Sequence, residues 1–184
     1  MAINSRPDSL HPIPYTLLPV TTMATTLQLL LRGKGAHADT VACVSGLSPE
    51  LAGKRLAGIE HTIWQLLVHM NYWMDYELRS IAGPEVPYPE HAAHSWPDTD
   101  GPASESALAD EVRRFADQIK QLSDLAGGLN DNQQRSRVVH PAKQETVEDV
   151  LWQMVAHNSY HIGQVATLRR ALGAWPPAEG GDTW

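Results

Sequence analysis

Cysteine is almost absent: Cys43 is the only one in 184 residues. An intramolecular disulfide is therefore impossible, and a reducing cytoplasm is the expected setting. The same scarcity excludes a zinc ribbon, a zinc finger or a polythiolate cluster, so nitrogen and oxygen must hold any metal. Set among Val41, Ala42 and Val44, Cys43 reads as a small core residue rather than a nucleophile. Basic charge is scarce as well. Fourteen Lys and Arg against 21 Asp and Glu give a formal net charge of −7, which argues against nucleic acid or an anionic membrane surface as partner. No run of about eighteen consecutive apolar residues occurs, so no membrane span is expected. The opening Met-Ala-Ile-Asn-Ser-Arg-Pro-Asp lacks an apolar core and carries an early acid, which argues against export.

What is present describes a folded helical domain. A hydrophobic fraction of 42% with 19% charged residues separates the chain from disordered compositions. Residues 1–19 hold Pro7, Pro12, Pro14 and Pro19 and read as an extended lead-in; 20–175 read as one domain and 176–184 as a tail. The first helical stretch runs from about Thr21 to Leu31, striped by Met23, Leu27, Leu30 and Leu31. Gly33 and Gly35 interrupt it, and the pattern resumes at Ala36 until Gly46; one broken helix and two pieces fit equally.

Thr62-Ile-Trp-Gln65 matches a capping box opening a second helix to Ala82, where Gly83-Pro84 ends it. Residues 84–103 carry five prolines and two histidines and are expected to form a long loop, solvated or folded over the bundle. A third helix opens at Ser104 on a stripe of Leu108, Val112, Phe115, Ile119 and Leu122, and closes at Gly127-Gly128. Residues 135–140 suit a short extended segment. A fourth helix is capped by Thr146 and ends before Gly173. Four apolar-striped helices imply an all-α, up-down four-helix bundle.

The fourth helix carries the chemistry. Its apolar face follows three- and four-residue steps through Val147, Val150, Met154, His157, His161, Val165 and Leu168. Residues four apart share a helix face, so both imidazoles point inward. Spacing alone decides little, because nine histidines in 184 positions produce such pairs by chance. Position on the apolar stripe is the stronger sign, and a transition metal is the best physical reason for it. A third candidate, His69, lies on the inward face of the second helix in series with Thr62, Leu66, Trp73 and Tyr76. Bundles build metal sites from facing helices, and a three-histidine set leaves a coordination position open, as catalytic sites do. The set fits one mononuclear divalent ion better than a haem. Zinc or nickel suits an all-imidazole shell, with iron, manganese or cobalt as further options. A carboxylate-bridged di-iron site is excluded, since no Glu stands three residues before any of these histidines.

The order Thr62-Ile-Trp-Gln-Leu-Leu-Val-His69-Met-Asn-Tyr-Trp73, then His157-Asn-Ser-Tyr-His161-Ile-Gly-Gln164 with Leu168-Arg169 beyond, resembles the DinB/YfiT-like superfamily from about residue 20 to 175. The closing His-x-x-x-His-x-Gly-Gln is the more specific part. The resemblance implies a bundle, commonly a homodimer, with a divalent metal on His69, His157 and His161. It also implies a small-molecule substrate. Members with assigned activities include S-transferases and an isomerase that use low-molecular-weight thiols; others carry a hydrolase label, and many have no known activity. The expected function is therefore a metal-dependent S-transferase with a thiol cosubstrate. The alternatives are a hydrolase working through activated water, or a metal-binding or interaction protein without turnover. No general base is identified.

Around the three histidines, His37, Trp73, Asn158, Tyr160 and Gln164 are candidates for the pocket or for orienting an imidazole. Trp64, Trp152 and Tyr160 are expected in the core or a cavity wall, and Gly163 is expected to allow close helix packing. His61, His91 and His94 are expected to be solvated, and His140 has no assigned place. Arg169 and Arg170 either meet an anionic substrate or complement the helix C-terminus.

Overall fold

A hydroxyl caps the start of every long helix in this computed structural model, which describes residues 22–84, 86–129 and 131–181. The expected lead-in over 1–19 lies outside the described residues, as do the last three positions of the tail. In chain order the helices are α1 (Met23–Leu31), α2 (Thr40–Val44), α3 (Pro49–Ala52), α4 (Ile63–Ala82), α5 (Glu105–Gly127), α6 (Asn132–Arg135) and α7 (Val147–Ala171). Thr22, Thr62, Ser104 and Thr146 each accept an orphan backbone N–H at the starts of α1, α4, α5 and α7. Both halves of a capping box are formed by Thr62 with Gln65 and by Thr146 with Asp149. Each cap contributes about 1 kcal/mol and fixes where its helix begins.

The four long helices form the all-α bundle. Both α1 and α4 pack against α5 and α7, so α1 and α4 face each other across a diagonal. Leu27, Leu31, Leu67, Met70, Phe115, Ile119, Leu122 and Leu151 fill the space between them. Burying each such side chain contributes about 1.5–3 kcal/mol, and this packing holds the inward faces of α4 and α7 in fixed register.

The broken first segment resolves into two pieces. Gly33 turns the chain at φ +76°, where an added Cβ would stand 2.6 Å from the Ala38 carbonyl oxygen. The Asp39 carboxylate then accepts from the N–H groups of Val41 (3.0 Å) and Ala42 (3.1 Å), so the helix starts at Thr40 rather than Ala36. The expected extended segment 135–140 is met only in its second half: Arg135 ends α6, and Val138–His140 form β1, paired antiparallel with β2 (Glu145–Thr146).

The long loop folds over the bundle. Asp100 receives two bonds from Arg55 (2.7 and 2.6 Å), and its carbonyl oxygen accepts from Thr62 Oγ1 at 2.6 Å. Gly53 and Gly101 approach so closely that a Cβ on Gly53 would stand 2.9 Å from the Gly101 Cα. These contacts pin the loop at the N-terminus of α4 and set a short 3-10 turn, Ala92–Ser95, beside His69. Among the described residues, no helix is long and apolar enough to cross a membrane.

Candidate metal centre

His69 on α4 meets His157 and His161 on α7. The ligand atoms that the three rings offer all lie within 4.8 Å of one another, and the Nε2 atoms of His69 and His157 are 3.2 Å apart. Two imidazole nitrogens bound tetrahedrally at about 2.0–2.1 Å from one ion would stand about 3.3 Å apart. The spacing is that of a chelating pair.

The hydrogen bonds decide which nitrogen of each ring is free. Ser95 Oγ donates to the Ala92 carbonyl at 2.6 Å, so toward His69 Nδ1, at 2.8 Å, it accepts. His161 Nδ1 donates to the Gln164 side-chain oxygen (2.7 Å), and His157 Nδ1 to that of Asn158 (3.3 Å). Every Nδ1 proton is thus committed to an oxygen, and every Nε2 keeps its lone pair. Such partners fix tautomer and ring orientation in metal sites. Asn158 is itself held, donating to the Met74 sulfur at 3.2 Å.

Burial reinforces this protonation state. Desolvation, with the other imidazoles adding to it, pulls His69 from 6.5 down to about 3. His157 falls to about 4, again chiefly through burial, and His161 is lowered for the same reason. Neutral imidazole is the ligand form, so the environment keeps all three competent near neutral pH. The three close histidines could hold one metal ion.

Trp96 covers the centre from the loop. Its ring stacks on His69 at 3.7 Å between centroids, and His61 stacks on Trp96 at 3.8 Å. His61 is therefore half-buried in an aromatic stack and not simply solvated, because Trp96 offers it a flat face. His91 and His94 are exposed, as expected.

The other candidates separate. Gln164 and Asn158 orient imidazoles, as described. Trp73 lines a cavity of about 150 Å³ together with His157. Tyr160 is 64% exposed, yet it edges a second cavity of about 300 Å³ with His61 and Gln164. His37 does not join the centre: its Nε2 bonds Ser159 Oγ at 2.8 Å, in a cavity lined by Arg170 and Trp175. Ser159 lies off the inward stripe of α7, which is why His37 is drawn elsewhere. Trp152 is also off that stripe and 40% exposed, so it is not a core residue, whereas Trp64 is buried. Gly163 allows no close packing, since an added Cβ would meet nothing within 4 Å. Arg169 is buried and donates to the carbonyls of Cys43, Ser45 and Ala174, a tie between segments rather than a substrate contact. Arg170 lies over the Trp175 ring.

Nothing in the sequence pattern singled out four residues near the centre: Ser95 and Trp96, which touch His69, and Glu77, which lines the cavity beside His157 and accepts from His140 Nε2 at 2.8 Å. Glu77 stands two turns beyond His69, and four-residue spacing along α4 could have pointed to it. The others reach their positions through loop and hairpin geometry that no spacing encodes.

A family model described as the DinB superfamily matches residues 34–165. That span is well over half of the chain and contains the whole histidine set. The chain belongs to the DinB superfamily. No curated protein and no solved structure gives a match.

Proposed function

We propose that this chain binds one divalent metal ion through His69, His157 and His161 and is a metal-dependent enzyme of the low-molecular-weight-thiol S-transferase type. The observation that carries the reading is the convergence of three neutral imidazoles whose Nδ1 protons are all tied off, with ligand nitrogens within 4.8 Å of one another and the Nε2 atoms of His69 and His157 3.2 Å apart. A divalent ion held by three protein ligands would supply an open position and the positive charge that acidifies a thiol.

The chain's own residues add a place for the reactants. His157 forms part of the wall of the cavity of about 150 Å³, with Trp73, Tyr88, Met154, Glu77 and Lys143. Its aromatic and apolar walls suit the carbon skeleton of a small electrophile, and Lys143 suits an anionic end. A purely structural metal site has no use for such an opening. The single buried Cys43 and the acidic composition favour a cytoplasmic small-molecule enzyme, and family resemblance favours a homodimer.

The test is a panel of thiols crossed with electrophilic acceptors, run on metal-loaded and metal-stripped protein. Thiol- and metal-dependent adduct formation is expected. Turnover of an ester or amide with water alone would move the assignment to a hydrolase, and metal retention without turnover on any acceptor would contradict the enzyme.

A further inference from the structure

The cavity beside His157 has a second chemical feature that the histidine set does not use. His69, Trp73 and Glu77 recur at four-residue intervals along one face of α4, and Trp73 and Glu77 line this cavity together with His157. Glu77 is only 5% exposed. Its Oε2 accepts from His140 Nε2 at 2.8 Å, while no hydrogen bond from the described residues reaches Oε1. The His140 ring is itself fixed, lying parallel to Tyr76 at 5.7 Å between centroids.

A carboxylate buried this deeply is costly unless a partner and a use retain it. Burial raises the Glu77 pKa, and the bond from His140 opposes only part of that rise. The groups around it are Tyr76 on its own helix, His140, Lys143 and Glu145 from the β1–β2 hairpin, Tyr88 from the loop and His157 from α7. Lys143 and Glu145 approach each other at 3.8 Å and act on Glu77 in opposite senses, so neither dictates its state.

We propose that Glu77, positioned by His140, is the proton acceptor for a thiol seated in the cavity beside His157, an inference that rests on the metal-enzyme reading above. The thiol S–H bond breaks heterolytically. Its electron pair stays on sulfur, and its proton passes to Glu77 Oε1. His140 keeps its Nε2–H on Oε2 throughout, and the carboxyl group goes from charge −1 to neutral. No oxidant or reductant is required. A buried acceptor with a raised pKa is matched to this task near neutral pH.

The test uses zinc-loaded full-length protein with 2-mercaptoethanol as the probe, followed by infrared difference spectroscopy. Thiol addition is expected to raise a carboxylic-acid C=O band, sensitive to deuterium exchange, at the expense of carboxylate bands. The band should vanish in Glu77→Gln and return, shifted, in Glu77→Asp. Calorimetry in two buffers of different ionisation enthalpy should show wild type releasing less than a full proton per thiol bound, and Glu77→Gln releasing a full one. Should Glu77→Gln fail to fold, the wild-type band and the wild-type proton count still decide. Thiol uptake without the band, a band that survives in Glu77→Gln, or no thiol uptake overturns the proposal and leaves the metal reading standing. Failure to retain zinc overturns both.

Discussion

His69 Nε2 lies 3.2 Å from His157 Nε2, and the oxygens that face the two Nδ1 atoms assign the ring protons there, leaving neither Nε2 a proton to offer the other. Both rings hold their single proton on Nδ1, against Ser95 in one case and Asn158 in the other. Two lone pairs facing at that distance repel unless a cation lies between them. This contact, in a site dry enough to pull His69 down to about 3, is the physical core of the metal reading.

Removing an orienting partner should weaken metal binding without removing a ligand. Ser95→Ala leaves the His69 Nδ1 proton without its acceptor and frees the ring to rotate or change tautomer. Affinity should fall about 10–100-fold, as for other outer-shell partners of ligating histidines. A competitive chelator titration measures it, and unchanged affinity would show that Ser95 does not set the ring.

Acid should destabilise the metal-free protein over a defined range. The folded-state values of His69 and His157, about 3 and about 4, lie below the ordinary 6.5. The unfolded chain therefore binds more protons than the folded one between those values. Stability is present in full above pH 6.5 and is lost as pH falls through the folded-state values. Thermal midpoints across this range should drop with acid, and less steeply in His69→Gln. A flat profile would contradict the burial of these imidazoles in neutral form.

Arg169→Met should unfold more easily while keeping its metal. The buried guanidinium donates to Cys43 (2.9 Å), Ser45 (2.8 Å) and Ala174 (3.0 Å), and its loss orphans carbonyls in two segments. A cost of about 3 kcal/mol is expected in chemical denaturation. Metal stoichiometry should match wild type; loss of metal would place Arg169 closer to the centre than its contacts do.

Cys43 should resist thiol reagents in the native state. Burial pushes its thiol up to about 11, and only the thiolate attacks such reagents. Labelling at neutral pH should appear only with unfolding, and rapid labelling of folded protein would contradict the packing around it.

Much of the architecture was legible because it is written locally. The Thr62–Gln65 and Thr146–Asp149 caps, and the stripes that follow them, specify α4, α5 and α7 within a residue or two. The same stripe brings His157 and His161 to the interior, and strict use of it would also have placed Trp152 and Tyr160 outside. What stayed hidden depends on contacts distant in sequence. Ser95 reaches His69 from 26 positions along the chain, through the rest of α4 and the loop after it, and His140 reaches Glu77 across 63 by way of a hairpin. Neither the proline-rich composition of 84–103 nor the short strands carry a period that reveals such a partner.

Metal content bears most directly on the central claim. Protein purified without an affinity tag, together with His69→Ala, His157→Ala and His161→Ala, should be assayed by elemental analysis after checking each fold by circular dichroism. Wild type is expected to carry close to one divalent ion per chain, and each folded variant to lose most of it. Full retention in any one of the three, or a wild type that binds no divalent metal when supplied with it, would contradict the account.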